Sequence, residues 1–433
     1  MTHTDFPAST RTIDQHLGAV LGLVSPARPE RVSVRQLGGA SGAAGGYVRL
    51  AADATALVSV PPAHVSAVDG FVAHAHDLAP GVRLAVAGDI PAGHPPLPVP
   101  PGQAVRIMTG APVPATSRGE LKVVPVEDTD ARRTGPAPDT VTVRAVRTGR
   151  DNIRHAGEHL RVGDTVAPAG TPVDPGTLAA LISAGVEEVE AFPKPRVAVV
   201  TTGDELAPAA AHDPGQPSWT IPNSNGPMLA GLARRFGANT THHHVPDSEA
   251  ALAAALDRLS GDRAAAAPEA DLIVTAGGIS AGAFDIVKSL GRRATAQRRA
   301  RFDFYPIAMH PGKPQGCGLW GTTPVICLPG NPVAAWVSAV LFLAPAIRRL
   351  AGAAAPHGLA ELPHTFLEVA EPVATRDLRA VARPARIDWG RARAVFSPAR
   401  GSHMVGSLAG ADGVCVVERG KLGPGDQARI LLV

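Results

Sequence analysis

Between residues 192 and 352 the chain repeats one pattern: a short continuous apolar run, a turn, then a segment with helical spacing. "RVAVVTTGDEL" (196–206) reads as a buried strand ending at Gly203. "GPMLAGLARRFG" (226–237) reads as a helix closed by Gly237, and "TTHHHVPDSEAALAAALDRL" (240–259) as a strand, a cap and a second helix. "DLIVTAGGISAGAFDIVKSL" (271–290) and "PVICLPGNPVAAWVSAVLFLAPAIRRLAG" (324–352) each give another strand, turn and helix. Uninterrupted apolar strands alternating with helices predict a parallel sheet covered on both faces, a doubly wound α/β domain. Ligands of such sheets bind outside the carboxyl ends of the strands, so the turns at 202–205, 246–248, 276–285 and 328–332 are expected on one rim.

The glycine turn at Gly277 and Gly278 has the make-up of an anion site, backbone N–H groups opening a helix. It matches neither familiar phosphate pattern. No Lys-Ser or Lys-Thr pair follows as in a Walker loop, and the glycines are not spaced as in a dinucleotide fingerprint. Instead Asp285 lies seven residues past Gly278, and a carboxylate beside an anion site implies a cation between them.

At 433 residues the chain exceeds a single domain. Residues 51–148 are rich in Val, Pro and Gly with short runs such as "QAVRIMTG" and "DTVTVRAV", and predict an inserted β-rich domain. Residues 353–433 end in "GPGDQARILLV" and predict a second β domain. The helical pieces "TIDQHLGAVLGLV" and "PGTLAALISAGV" place residues 1–50 and 149–191 together as a discontinuous mixed α/β part. The doubly wound domain is then 192–352.

A hydrophobic share of 45% and a charged share of 18% is a globular balance. The net charge of +3 and the single basic stretch "GRRATAQRRAR" (291–301), which reads as a solvated helix face, argue against a nucleic-acid partner. Cys317, Cys327 and Cys415 have neither zinc nor disulfide spacing, which favours a reducing compartment. "MTHTDFPASTRTIDQHL" has no apolar signal core, and the apolar run from Val333 to Ile347 falls short of a membrane span and contains Pro345. The expectation is a cytoplasmic protein. "HHH" (242–244) is a poor metal site, because successive strand residues point to opposite faces.

"SAVDGFV" (66–72), "IMTGAPVP" (107–114), "TTGDEL" (201–206) with "GGISAGAFDIVK" (277–288), and "HPGKP" (310–314) with "LPGNPVAA" (328–335) occur in this order. Together they resemble the molybdopterin molybdenumtransferases, the MoeA and gephyrin E-domain family, over nearly the whole chain. The resemblance implies a four-part subunit with one doubly wound, MogA-like domain, acting as a homodimer whose cleft uses both chains. It implies insertion of molybdenum from molybdate, the co-substrate, into adenylylated molybdopterin, with release of AMP and with magnesium as helper ion. Other molybdenum-cofactor biosynthesis proteins are possible further partners.

Carried over by motif, the resemblance implies catalytic roles for Asp69, Glu205, Asp285 and Lys313, with Asp285, Glu205 and Asp247 around the metal. Substrate contacts fall to Thr109, through its hydroxyl and N–H, and to Gly277, Gly278, Ser280, Asp247, His310, Gly330, Pro329, Pro332 and Ser402, with Arg400 beside Ser402. Each position has a plainer alternative. Asp285 also suits a helix dipole, Asp247 an ordinary N-cap, Thr109 and Gly330 tight turns, and Lys313 a solvated surface.

The chain departs from the pattern in three places. Val68 replaces the usual Met, Leu121 stands in a segment that commonly holds Asp, and His310 replaces Lys. A histidine, only partly charged at neutral pH, binds an anion more weakly than lysine does. Two other readings stand beside the insertase: an adenylyltransferase built on the same doubly wound domain, and a non-catalytic pterin or molybdate binder.

Overall fold

The computed structural model describes residues 10–40, 48–114, 120–207, 219–261, 268–279, 285–375, 379–397, 401 and 403–433. They form two compact units. One comprises residues 1–31, 40–51 and 190–433, the other residues 32–39 and 52–189.

Helix α1 (Ile13–Leu21) opens the larger unit on a capping box, with Gln15 N donating to Thr12 Oγ1 at 3.1 Å and Thr12 N to Gln15 Oε1 at 2.9 Å. The smaller unit holds β1 (Gly70–His74), β2 (Arg83–Ile90), β3 (Gln103–Ile107), β4 (Leu121–Pro125) and β5 (Thr140–Thr142), in the order β4-β1-β3-β2-β5. Short alternating runs thus become strands with one face in each of two small cores, Phe71 and Val124 on one side and Val72 and Val123 on the other. Leu121 is buried in the second core, so an apolar side chain suits that place. Helix α2 (Pro175–Ser183) follows, with Asp174 capping through Thr177 N at 2.7 Å and proline in its first turn.

In the larger unit the doubly wound pattern is realised by β6 (Arg196–Thr202), α3 (Asn225–Arg235), β7 (Asn239–Val245), α4 (Glu249–Ser260), β8 (Leu272–Ala276), α5 (Ile286–Ala296), β9 (Ala300–Pro306), β10 (Met309–His310), β11 (Pro314–Trp320), β12 (Thr323–Leu328) and α6 (Pro332–Leu350). Among the described residues the sheet order is β7-β6-β8-β12-β11-β9. Strands β7, β6, β8 and β12 are parallel, whereas β11 runs antiparallel to both of its neighbours, β12 and the edge strand β9. The sheet is therefore mixed rather than wholly parallel. The hairpin 300–320 has no helical segment between its strands, so its second strand returns directly alongside the first. Gly318 permits this, since a Cβ there would collide with Arg301 O.

Alternate residues of β6 point to opposite cores. Val197 and Val199 meet α1, α3 and α6, while Ala198 and Val200 meet α4 and α5. Helix α6 explains the longest apolar run differently from the sequence reading. It spans 19 residues, long and apolar enough to cross a membrane, yet 89% of that window is buried inside the protein. Pro345 does not break it, because a π turn over Ala339–Leu343 precedes the ring and Ala344 N donates to Ala339 O.

Strands β13 (His364–Val369), β14 (Ala380–Asp388), β15 (Arg393–Val395), β16 (Gly413–Val417) and β17 (Gln427–Leu432) follow in the order β14-β15-β13-β17-β16, and the β14–β16 pairing closes them into a barrel. Strand β10 adds to β14, His310 opposite Val381, so the loop between β9 and β11 is tied to this barrel.

Candidate active site

The expected rim forms at the carboxyl ends of β6, β8 and β12, where α3, α5 and α6 begin. Gly277 (φ +98°) and Gly278 (φ +66°) make the turn after β8. Both need glycine. A Cβ at Gly277 would lie 3.3 Å from Thr202 O, and one at Gly278 3.0 Å from Val287 Cγ2 and 3.2 Å from Val287 N. Gly277 N donates to Leu328 O at 3.1 Å, and the Cβ position of Gly330 is 3.4 Å from Gly277 Cα. The two glycine turns therefore lie against each other. Pro329 and Pro332 flank Gly330, and Asn331 occupies the N-cap position of α6 with Pro332 as its first residue. Ser280, Arg400 and Ser402 lie outside the described residues.

Two side chains that sequence reasoning passed over complete this rim. Asn225, the first residue of α3, donates from Nδ2 to Gly330 O at 2.6 Å and holds the second glycine turn. Its Oδ1 is buried without a partner, as is Thr202 Oγ1, which would stand 3.4 Å from a Gly278 Cβ. Buried polar atoms lacking partners are uncommon, and these two stand beside the paired glycine turns. The signal was available in "IPNSNGPML", an Asn placed to begin a helix at a strand-end turn.

Asp285 occupies the N-cap of α5 yet makes no capping hydrogen bond to the helix backbone. Asp247 is likewise not the cap of α4, because Ser248 takes that role through Ala251 N at 3.4 Å. Asp247 instead pairs with the β6 turn. Its N donates to Asp204 Oδ1 at 3.0 Å, and Asp204 N donates to Asp247 Oδ2 at 3.3 Å. Partial burial pushes the Asp247 carboxyl up from its ordinary value, and the Asp204 and Glu205 charges add to this against the Asp204 N–H. Glu205 is exposed, its carboxylate lying over Gly203, where a Cβ would come within 2.6 Å of Glu205 Oε2.

Asp285, Glu205 and Asp247 do not close into a metal-ligating cluster, and no three His, Cys, Asp or Glu side chains among the described residues do. Magnesium does not need such a cage, since it is held by one or two carboxylates with water and substrate phosphates. A repelling acidic pair beside an anion turn fits a cation of that kind. The three histidines turn to hydroxyls, His242 Nε2 lying 3.0 Å and His244 Nδ1 3.4 Å from Thr201 Oγ1, and His243 Nε2 3.0 Å from Thr241 Oγ1.

Lys313 is exposed between Gly312 (φ +103°) and Pro314, and Ile307 N donates to its carbonyl at 2.6 Å. His310, also exposed, sits on β10.

In the smaller unit Asp69 and Thr109, which the sequence separates by 40 residues, form one constellation. Thr109 N and Oγ1 both donate to Asp69 Oδ1 at 2.7 Å. The two donors hold the Asp69 carboxyl below its ordinary value. Both Thr109 groups expected to meet substrate are thus directed at Asp69, because the turn at Gly110 (φ +80°) folds Thr109 back on the loop.

Comparison with known proteins places these features. Residues 11–185 match the model of the MoeA N-terminal region (domain I and II), and residues 198–349 that of a probable molybdopterin binding domain. The chain is 37% identical over 356 residues to molybdopterin molybdenumtransferase 2 of Mycobacterium tuberculosis, covering 80% of this chain and 81% of that protein. It is 33% identical over 306 residues to molybdopterin molybdenumtransferase of Haemophilus influenzae, covering 70% of each. The crystal structure of the molybdopterin biosynthesis MoeA protein from Pyrococcus horikosii superposes with a TM-score of 0.73 over 98% of this chain and 99% of that one, at 23% identity.

Proposed function

The chain belongs to the molybdopterin molybdenumtransferase family, and from that premise we propose that it inserts molybdenum from molybdate into adenylylated molybdopterin, releasing AMP. The carrying observation is the rim itself, where the Gly277–Gly278 and Gly330 turns lie in contact and open helices α5 and α6. Backbone donors and helix N-termini there suit oxyanions, as phosphate or molybdate. In the larger unit Lys313 supplies an exposed cation; in the smaller unit Asp69, held below its ordinary titration by Thr109, is a fixed carboxylate. Magnesium, when bound, screens the phosphates. Glu205 after β6 and Asp247 after the neighbouring β7, or Asp285 at the head of α5, are the carboxylates to hold it, with Asp247 the group whose raised titration a cation would reverse.

The reading extends to a homodimer in the cytoplasm with the four-part division of the chain. Cys317, Cys327 and Cys415 are all free and buried, which suits a reducing compartment. Burial pushes their thiols up to about 11, 12 and 12. The adenylyltransferase reading is disfavoured, because the named relatives share 70% or more of their length with this chain.

Purified protein incubated with adenylylated molybdopterin, molybdate and magnesium is expected to release AMP only when molybdate is present. Adenylylation of molybdopterin by ATP would reverse the assignment. Binding without turnover would leave a scaffold. Sedimentation of a fully active monomer would remove the dimer.

A further inference from the structure

The β9–β11 loop carries His310 and Lys313, and a buried amide is one of its anchors. Gln315 is 1% exposed and donates from Nε2 to Gly312 O at 2.9 Å and to Ser338 Oγ at 2.7 Å. Both amide hydrogens are therefore used. The orientation of the amide is also fixed, because Gly312 O can only accept. Ser338 is fully buried on α6, six residues beyond Pro332, so the amide joins the loop to the helix that the Gly330 turn opens.

Gly312 lies flat on this clamp. A Cβ there would stand 3.1 Å from Met309 Cε and 3.2 Å from both Gln315 Nε2 and Ser338 Oγ. On its other side the loop is pinned by Ile307 N to Lys313 O and by the pairing of β10 with β14. The exposed Lys313 side chain leaves the loop between these anchors.

From this geometry we infer that Gln315 is a positioning residue: it sets the reach of Lys313 Nζ relative to the anion rim by fastening Gly312 O to Ser338 Oγ. The inference rests on the reading of Lys313 as an anion contact. Gln315 Oε1 is buried with no partner, so the amide acts on the loop through its two donors alone.

The test is a double-mutant cycle between Lys313→Ala and Gln315→Met, which keeps length and volume while deleting both donors. Molybdate binding to the purified full-length protein is measured by calorimetry, with thermal melting as the control for folding. Lys313→Ala is expected to weaken molybdate binding about tenfold, and Gln315→Met about three- to tenfold with a modestly lowered melting temperature, because Gly312 O and Ser338 Oγ lose their donor. The double variant should bind as Lys313→Ala does alone, because an amide that acts through Lys313 has nothing left to position. Fold-changes that multiply in the double variant, or an unchanged affinity in Gln315→Met, would overturn the inference and leave the anion role of Lys313 standing. An unchanged affinity in Lys313→Ala would remove that role and the inference with it. If Gln315→Met does not fold, Ser338→Ala takes its place in the cycle, with a smaller loss in the same direction and the same non-additivity expected.

Discussion

Thr109→Val tests whether Thr109 acts on substrate or on Asp69. The change keeps a β-branched side chain and the backbone N–H, and deletes one of the two donors that reach Asp69 Oδ1 at 2.7 Å. A hydrogen bond to a charged group contributes about 1.5–3 kcal/mol in a protected site, but Asp69 is exposed and water replaces part of any lost bond. The loss is then about 0.5–1 kcal/mol, a two- to fivefold fall in turnover if the carboxylate takes part in the reaction.

The titration gives the sign. The folded Asp69 carboxyl is lowered by the Thr109 N–H first and the hydroxyl second. Its stabilisation is therefore present above the unfolded value of 3.8 and lost as pH falls through the lower folded value. In Thr109→Val the folded value moves up toward 3.8 without reaching it, since the N–H remains. The stability difference between variant and wild type should thus be constant at neutral pH and vanish in acid. Carbon NMR of the Asp69 carboxyl follows the titration, and AMP release follows turnover. An unmoved titration would show that the hydroxyl does not bond Asp69. A hundredfold loss of turnover would show that Thr109 meets substrate directly.

Asp247→Asn should raise stability by a few tenths of a kcal/mol at pH 7, by ending repulsion with Asp204 and Glu205, and should weaken magnesium binding; melting and magnesium titration read the two effects, and a destabilised variant would refute the repulsion. Gly278→Ala places a Cβ 3.0 Å from Val287 Cγ2 at φ +66°, and should cost about 1–2 kcal/mol from the left-handed conformation alone, seen as a lowered urea midpoint with turnover falling further as the turn is displaced. His310→Lys puts a full charge where a partial one stood and should tighten molybdate binding several-fold at pH 7.5; equal affinity would place His310 away from the anion.

The doubly wound order was legible because each buried parallel strand is a continuous apolar run and each following helix begins at a turn residue. The edge hairpin was not. In "RFDFYP" apolar and polar residues alternate, which marks a strand, but nothing local says whether it pairs parallel or antiparallel, and the glycines at 316 and 318 that let the strands approach are explained only by the partner they meet. The same holds for α6. Its apolar run, read from the sequence as too short for a span, extends to 19 residues in the folded helix, and its role in the core is set by what surrounds it rather than by its own residues.

The site divides along the same line. Glycine turns announce themselves, because few sequences need two consecutive positive φ angles. Polar partnerships across the fold do not. Asn225 with Gly330, Gln315 with Ser338 and Asp69 with Thr109 join residues 23 to 105 apart, and no spacing rule links them. Asp247 shows how small the missing information is. In "VPDSEAA" both Asp247 and Ser248 are competent caps, and a helix needs one. Since α4 starts at Glu249, Ser248 caps it and the Asp247 carboxylate is left to Asp204 and Glu205. Had the helix begun one residue earlier, Asp247 would be the cap and the acidic rim would lose a member. A one-residue boundary thus decides whether this carboxylate caps a helix or faces Asp204 and Glu205, and sequence patterns place such boundaries only to within a residue or two.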